Sequence, residues 1–183
     1  MKVFEPYFEI IKEECLAIQE SAYIPWPEVL LYTPGGWFVY GLFVNGKPIE
    51  QNCAGCPRTT EILASTPNVS TAGFSLLKAG AKIFSHEGYV AGITRHHMGI
   101  VVPEGDLGIQ VDDQVHRWHE GHGEFSFDDQ KWHKAWNNTK EDRIILLVDF
   151  VENEDGFQHI PDYLSYEDLD PKEAKIRPDL YIH

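Results

Sequence analysis

An all-β core of jelly-roll type, with helices flanking it on the N-terminal side, is the fold class this sequence predicts. Three observations predict it. From Gly36 onward, aromatic and β-branched runs such as WFVYGLFV replace the helical periodicity of the opening segment. Those runs stay short and recur as far as Glu152, with glycine or asparagine between them. Asn45-Gly46, just after the first run, is the strongest short-range signal for a two-residue hairpin. Many short strands at such spacing close into a sandwich or barrel, which removes their open edges.

Each element follows from its own pattern. Residues 7–22 carry Phe8, Ile11, Cys15 and Ile18 at helical spacing, which predicts an amphipathic helix with its acidic residues outside. The two prolines of YIPWPEVL end that periodicity. Pro57 suits the first position of a second, short helix over 57–65, which stops before Pro67. Strands are then expected near 74–77, 82–85, 95–103, 107–111, 124–127, 133–136 and 143–151. Beyond Glu152 the chain turns acidic and proline-containing, and is expected to pack over the barrel as a tail, with a short helix near 166–173.

At 183 residues the chain has room for one domain of the usual size, roughly 150 residues, with some elaboration. One domain is therefore expected over 1–183, with a core at about 36–152, a helical segment at about 5–22 and a tail at about 153–183. The 43% hydrophobic content is enough for a packed core. A net charge of −14 repels phosphate backbones and anionic bilayers, so nucleic-acid and membrane partners are not expected. The opening MKVFEPYFEIIKEEC has no apolar run and carries four glutamates, unlike a signal or transit peptide, and the expected location is cytoplasmic.

Cys15, Cys53 and Cys56 are an odd count without an export signal, which argues against a disulfide framework. The pair in NCAGCPRT lacks the second pair that a structural zinc site needs, so these cysteines are read as packing residues at a helix entry.

Chemistry concentrates in the histidines. His86, in FSHEG, ends one apolar strand and His133, in DDQKWHKAW, opens another; two imidazoles from separate strands at a barrel mouth suit iron, copper or zinc. Strand alternation places Arg95, His97 and Gly99 on one face and His96, Met98 and Ile100 on the other. Arg143 opens RIILLVDF, and a guanidinium at the rim of so apolar a strand needs an anion. Metal ligands and cations aimed at one interior point to a metal-bound carboxylic acid, as when a keto acid chelates iron and an arginine holds its far carboxylate. His116, His119 and His122, in VHRWHEGHGEF, are expected in an exposed loop over the mouth, and Asp128-Asp129 in a turn with local hydrogen bonds.

These segments resemble the aspartyl/asparaginyl β-hydroxylases, iron(II)- and 2-oxoglutarate-dependent oxygenases with a double-stranded β-helix, a cupin-like jelly roll. CPRTTEIL is similar to the family's helix before the barrel, HHMGIVVP to its histidine-bearing strand, and FDDQKWHKAWNNTKEDRIILLVDF to its distal-histidine segment. The resemblance implies His86 and His133 as iron ligands and Arg143 with Ser75 at the distal carboxylate of 2-oxoglutarate. It places Arg95 and His97 near the chelating end and the substrate. Most oxygenases of the wider class carry a carboxylate two positions after the first histidine, where this chain has Gly88. The resemblance implies a two-histidine site with water in that place.

The expected activity is therefore a dioxygenase that consumes 2-oxoglutarate and dioxygen on iron(II). It hydroxylates an unactivated carbon, the β-carbon of an Asp- or Asn-like amino acid, free, in a peptide or carrier-bound. Ile93 stands where relatives acting on aspartyl substrates commonly have an arginine, leaving Arg58, Lys78 or Arg117 as substitute anchors. The rivals are a radical halogenase admitting chloride at the Gly88 gap and a non-catalytic cupin-like module binding a metal or small acid.

Overall fold

A computed structural model describes residues 2–88 and 90–152. In chain order its helices are α1 (Phe8–Ala17), α2 (Glu50–Gly55) and α3 (Pro57–Ser65). The strands are β1 (Ile24–Pro25), β2 (Trp37–Val44), β3 (Lys47–Pro48), β4 (Val69–Leu77), β5 (Lys82–His86) and β6 (Ile93–Val101), followed by β7 (Leu107–Val111), β8 (Gln114–His116), β9 (Phe125–Asp128), β10 (His133–Asn137) and β11 (Arg143–Val151). Seven strands form one sheet in the order β1-β2-β4-β11-β6-β9, with β3 paired to β2, and four form a second in the order β5-β10-β7-β8. Their pairings are antiparallel. The predicted jelly roll is the fold.

The large sheet is buried on both faces, and this explains the nearly continuous apolar run of β11. Ile145 and Leu147 point between the sheets, against Ile83, Ile109 and Ala135 of the small one. Leu146 and Val148 point the other way, into a second core with Phe74, Met98 and Ile100 that Ile11 and Leu63 of the helices cover. Alternation in β4 and β6 follows the same rule. Each central strand thus faces the space between the sheets on one side and the helix-covered core on the other.

Asn45-Gly46 forms the two-residue turn that was expected: Val44 pairs with Lys47 and both turn residues have positive φ, 51° and 72°. The opening helix is shorter than its periodicity suggests. It ends at Ala17 because Ile18 is extended, and residues 20–22 form a separate 3-10 turn. α3 begins at Pro57 as expected, and the Glu14 carboxylate of α1 accepts the Arg58 and Thr59 amides of its first turn at 3.0 and 2.7 Å. Cys15, Cys53 and Cys56 are free and buried, consistent with packing. Burial pushes the Cys15 and Cys56 thiols up to about 12, so neither is a nucleophile at neutral pH.

Among the strands, 107–111 and 143–151 fall where expected, while β4 starts five residues earlier than the expected 74. Helix α2 had no expectation attached, and the short edge strand β8 takes in His116, which was expected in a loop. Among the described residues, no helix is long and apolar enough to cross a membrane. The expected tail and its helix near 166–173 lie outside the described residues.

Candidate active site

The space between the sheets narrows to a cavity lined by the six residues expected to bind metal or cosubstrate: Ser75, His86, Arg95, His97, His133 and Arg143. Apolar walls from Trp37, Ile83, Ile109, Phe127 and Leu147 surround them.

The two imidazoles come from the small sheet. β5 and β10 are neighbours, and their register sets His133 directly opposite His86, with ring centroids 4.2 Å apart. Each ring is tied by its Nδ1, His86 to the Phe84 carbonyl and His133 to the Lys131 carbonyl, both at 2.7 Å. A carbonyl only accepts, so each Nδ1 carries the proton and each Nε2 presents a lone pair. That is the tautomer and the backbone anchoring of a metal-ligating histidine. Burial lowers both pKa values below the ordinary imidazole range and keeps the rings in the neutral form that binds a metal.

The facing wall belongs to the large sheet. Arg143, at the start of β11, is 1% exposed, stacks on the Trp118 ring at 4.6 Å and reaches the Ser75 carbonyl at 3.5 Å. Ser75 Oγ accepts the Trp37 indole N–H at 2.9 Å. Among the described residues no carboxylate pairs with Arg143, and its Nε has no partner. Burial without an anion lowers its pKa to about 9, because desolvation penalises the charged form. His97 is also buried, with Nε2 unpartnered. Burial, then Arg95 and Arg143, hold its pKa well below the usual range, so it is a neutral ring.

Arg95 differs from Arg143. It forks onto Asp149 at 2.8 and 2.9 Å and reaches Asp129 at 2.7 Å. Its charge is therefore satisfied within the protein. His96, on the opposite face as alternation requires, is buried against Glu124 and Ser126 at 3.0 and 2.7 Å.

Asp129 corrects one expectation. Asp128 makes the local turn contact, accepting the Gln130 amide at 3.0 Å. Asp129 instead has its backbone tied to two other segments, accepting from Gly88 N at 2.7 Å and donating to the Ile93 carbonyl at 3.1 Å. This turns its carboxyl inward, 3.7 Å from His133 Nε2. Burial pushes that carboxyl up to about 7, with Asp149 and Glu28 adding to the effect and Arg95 opposing it. A Cβ on Gly88 would run into the Asp129 carboxyl. The place where other oxygenases grow a carboxylate from position 88 is thus filled from the turn between β9 and β10. Sequence reasoning missed this; the only available signal was the position of Asp129, four residues before His133.

Gly88→Asp is accordingly expected to destabilise the protein by about 1–3 kcal/mol through overpacking, seen as a fall of several degrees in Tm. It should not tighten iron(II) binding. Differential scanning fluorimetry with and without iron(II) reads both effects; a tighter, more stable variant would show that the glycine is not required by Asp129.

The remaining candidates lie elsewhere. His116 belongs to β8 rather than to a loop and stacks on Phe125 at 4.7 Å, while His119 and His122 are exposed and stack on each other at 5.1 Å. Arg58 pairs with Glu13 and Glu14, Lys78 with Glu20 and Asp142, and Arg117 with Asp106. None of these lines the cavity. Among the described residues no group of three or more His, Cys, Asp or Glu side chains is arranged to hold a metal ion.

The family model described as aspartyl/asparaginyl beta-hydroxylase matches residues 5–153. The chain belongs to this family. An ornithine lipid ester-linked acyl 2-hydroxylase from Rhizobium tropici is 40% identical over 118 residues, covering 63% of this chain and 42% of that protein. The human aspartyl/asparaginyl beta-hydroxylase is 27% identical over 157 residues, covering 81% of this chain and 20% of its own length. The chain therefore spans less than half of either relative. Among solved structures, a cupin_2 domain of an XRE-family transcriptional regulator from Enterobacter cloacae is 16% identical with a TM-score of 0.44, over 64% of this chain and 99% of that one. The matched residues 5–153 take in the segment from α1 to β11 described above.

Proposed function

We propose that the chain is an iron(II)- and 2-oxoglutarate-dependent dioxygenase that hydroxylates an unactivated carbon. The observation that carries this reading is the pairing of two Nδ1-anchored imidazoles with a buried, carboxylate-free arginine across one cavity. The donor set fits both groups. His86 and His133 offer two neutral Nε2 lone pairs and leave most of a metal's coordination places open. Arg143 and His97 offer buried N–H donors that nothing in the described protein satisfies, as a dicarboxylate requires. When bound, iron(II) with 2-oxoglutarate and dioxygen supplies the oxidant that breaks a C–H bond, and succinate and carbon dioxide leave.

The protein's own part is binding and orientation. His86 and His133 would hold the metal through their Nε2 atoms. Arg143, braced by Trp118 and the Ser75 carbonyl, would hold the far carboxylate, and His97 would donate to the other end of the cosubstrate. Trp37, Ile83, Ile109 and Leu147 keep water out, which strengthens each of these contacts.

Two substrate classes follow. The first is the β-carbon of an Asp- or Asn-like amino acid, free, in a peptide or carrier-bound, matching the human relative's name. The second is an acyl chain, as in the Rhizobium tropici relative's name, and two observations favour it: Ile93 supplies no charge, and Arg95 is already paired with Asp129 and Asp149. With Arg143 assigned to the cosubstrate, a substrate carboxylate meets no further spare cation among the described lining residues. Chlorination is disfavoured because the Asp129 carboxyl fills the space beside Gly88 that chloride would need.

The test is turnover with iron(II), 2-oxoglutarate and dioxygen in the presence of amino acids, peptides or acylated amino acids. Succinate formation coupled to a gain of one oxygen in one of these classes is the expected result. No succinate under any condition would reduce the protein to a binding module, and a halogen in the product would make it a halogenase.

A further inference from the structure

Trp118 lies in VHRWHEGHG between exposed Arg117 and exposed His119, yet it is 4% exposed and turned into the cavity. It touches both polar residues of the large-sheet wall that lack a partner. Its indole N–H donates to His97 Nδ1 at 3.4 Å, and its ring lies against the Arg143 guanidinium, whose carbon is 4.6 Å from the ring centroid. His97 and Arg143 stand on adjacent strands, β6 and β11. Among the described residues, the unpartnered atoms at this wall are His97 Nε2 and Arg143 Nε.

The chemistry of the first contact is one-sided. An indole N–H can only donate, so the His97 nitrogen that receives it carries no proton. A neutral imidazole has one proton, which must then sit on Nε2. Trp118 thereby converts His97 from a ring of undetermined tautomer into a donor aimed at the cavity. The second contact restrains Arg143 too: a guanidinium carbon held 4.6 Å over a ring centroid is kept in place by attraction to the aromatic face, which takes up none of its N–H donors.

We propose that Trp118 is a positioning residue for the cosubstrate. One indole sets the His97 proton on Nε2 and holds Arg143 in place, so that two donors converge on one dicarboxylate. This rests on the dioxygenase reading for the identity of that dicarboxylate, though the His97 tautomer does not depend on it.

The experiment uses long-range 1H–15N spectra of the whole chain without metal, with His97 assigned by the signal lost in His97→Gln. The wild type is expected to show His97 as the Nε2–H tautomer, and Trp118→Phe, which keeps a ring against Arg143 but deletes the N–H, to show a mixed or Nδ1–H tautomer. In parallel, 2-oxoglutarate is titrated into the manganese(II)-loaded protein under anaerobic conditions. Trp118→Phe should weaken its binding about three- to tenfold, and Trp118→Ala, which also loses the stacking, by more. A wild-type Nδ1–H tautomer overturns the proposal without any variant having to fold. Unchanged tautomer and affinity in Trp118→Phe overturn the role of Trp118 alone. A wild type that holds the Nε2–H tautomer but binds no 2-oxoglutarate overturns the dioxygenase reading, and with it the assignment to that cosubstrate.

Discussion

Replacing Arg143 with Ala is expected to raise the 2-oxoglutarate requirement by roughly ten- to a hundredfold. A charge-assisted contact is worth about 1.5–3 kcal/mol net, and each 1.4 kcal/mol is about tenfold in affinity. The effect should be large because nothing nearby substitutes: Arg95 is committed to Asp129 and Asp149, and Lys78 is paired with Glu20 and Asp142 outside the cavity. Iron(II) binding should survive, since the imidazoles belong to the other sheet. Arg143→Lys keeps the charge without the planar fork and should fall between wild type and Ala. The measurements are the apparent KM for 2-oxoglutarate and Tm, the latter because a fully buried side chain is removed. An unchanged KM in a folded variant would make Arg143 a structural charge.

The second large effect is on the metal. His86→Ala and His133→Ala should each weaken iron(II) binding by at least about tenfold, and the double variant should bind no stoichiometric iron. Both side chains are buried at the end of paired strands, and their Nδ1 anchors are carbonyls of residues two positions earlier. Losing either ring therefore removes a ligand without breaking a tertiary hydrogen bond. Competition with a chromogenic chelator measures affinity, and circular dichroism checks the fold. Stoichiometric iron in the double variant would place the site elsewhere.

How far the sequence carried depends on whether a residue's role is local. Periodicity of two separated Arg95 and His97 from His96 and Met98, and the structure keeps that division because both faces of β6 are packed. The Asn45-Gly46 turn was legible because its conformation is a property of those two residues. Asp129 was not, because its meaning comes from Arg95 and Gly88, more than thirty positions away in the chain. Trp118 escaped notice for a related reason: three nearby histidines drew attention in a segment where the indole alone turns inward. Strand ends shifted where neighbouring strands extended the pairing, as at the start of β4, which β2 and β11 carry beyond its apolar run.

The contact between Gly88 and Asp129 has a consequence for how such a site changes over time. Two positions in different connections, one after β5 and one between β9 and β10, compete for one volume, so each residue is permitted only by the other. A carboxylate at 88 is tolerated only once 129 has shrunk, and shrinking 129 first strips Arg95 of one of its two counter-ions. Neither single step leads to an improved intermediate. A lineage holding this pair is therefore separated from one holding the three-ligand arrangement by a double change, and an engineer crossing between them would have to alter both positions in the same gene.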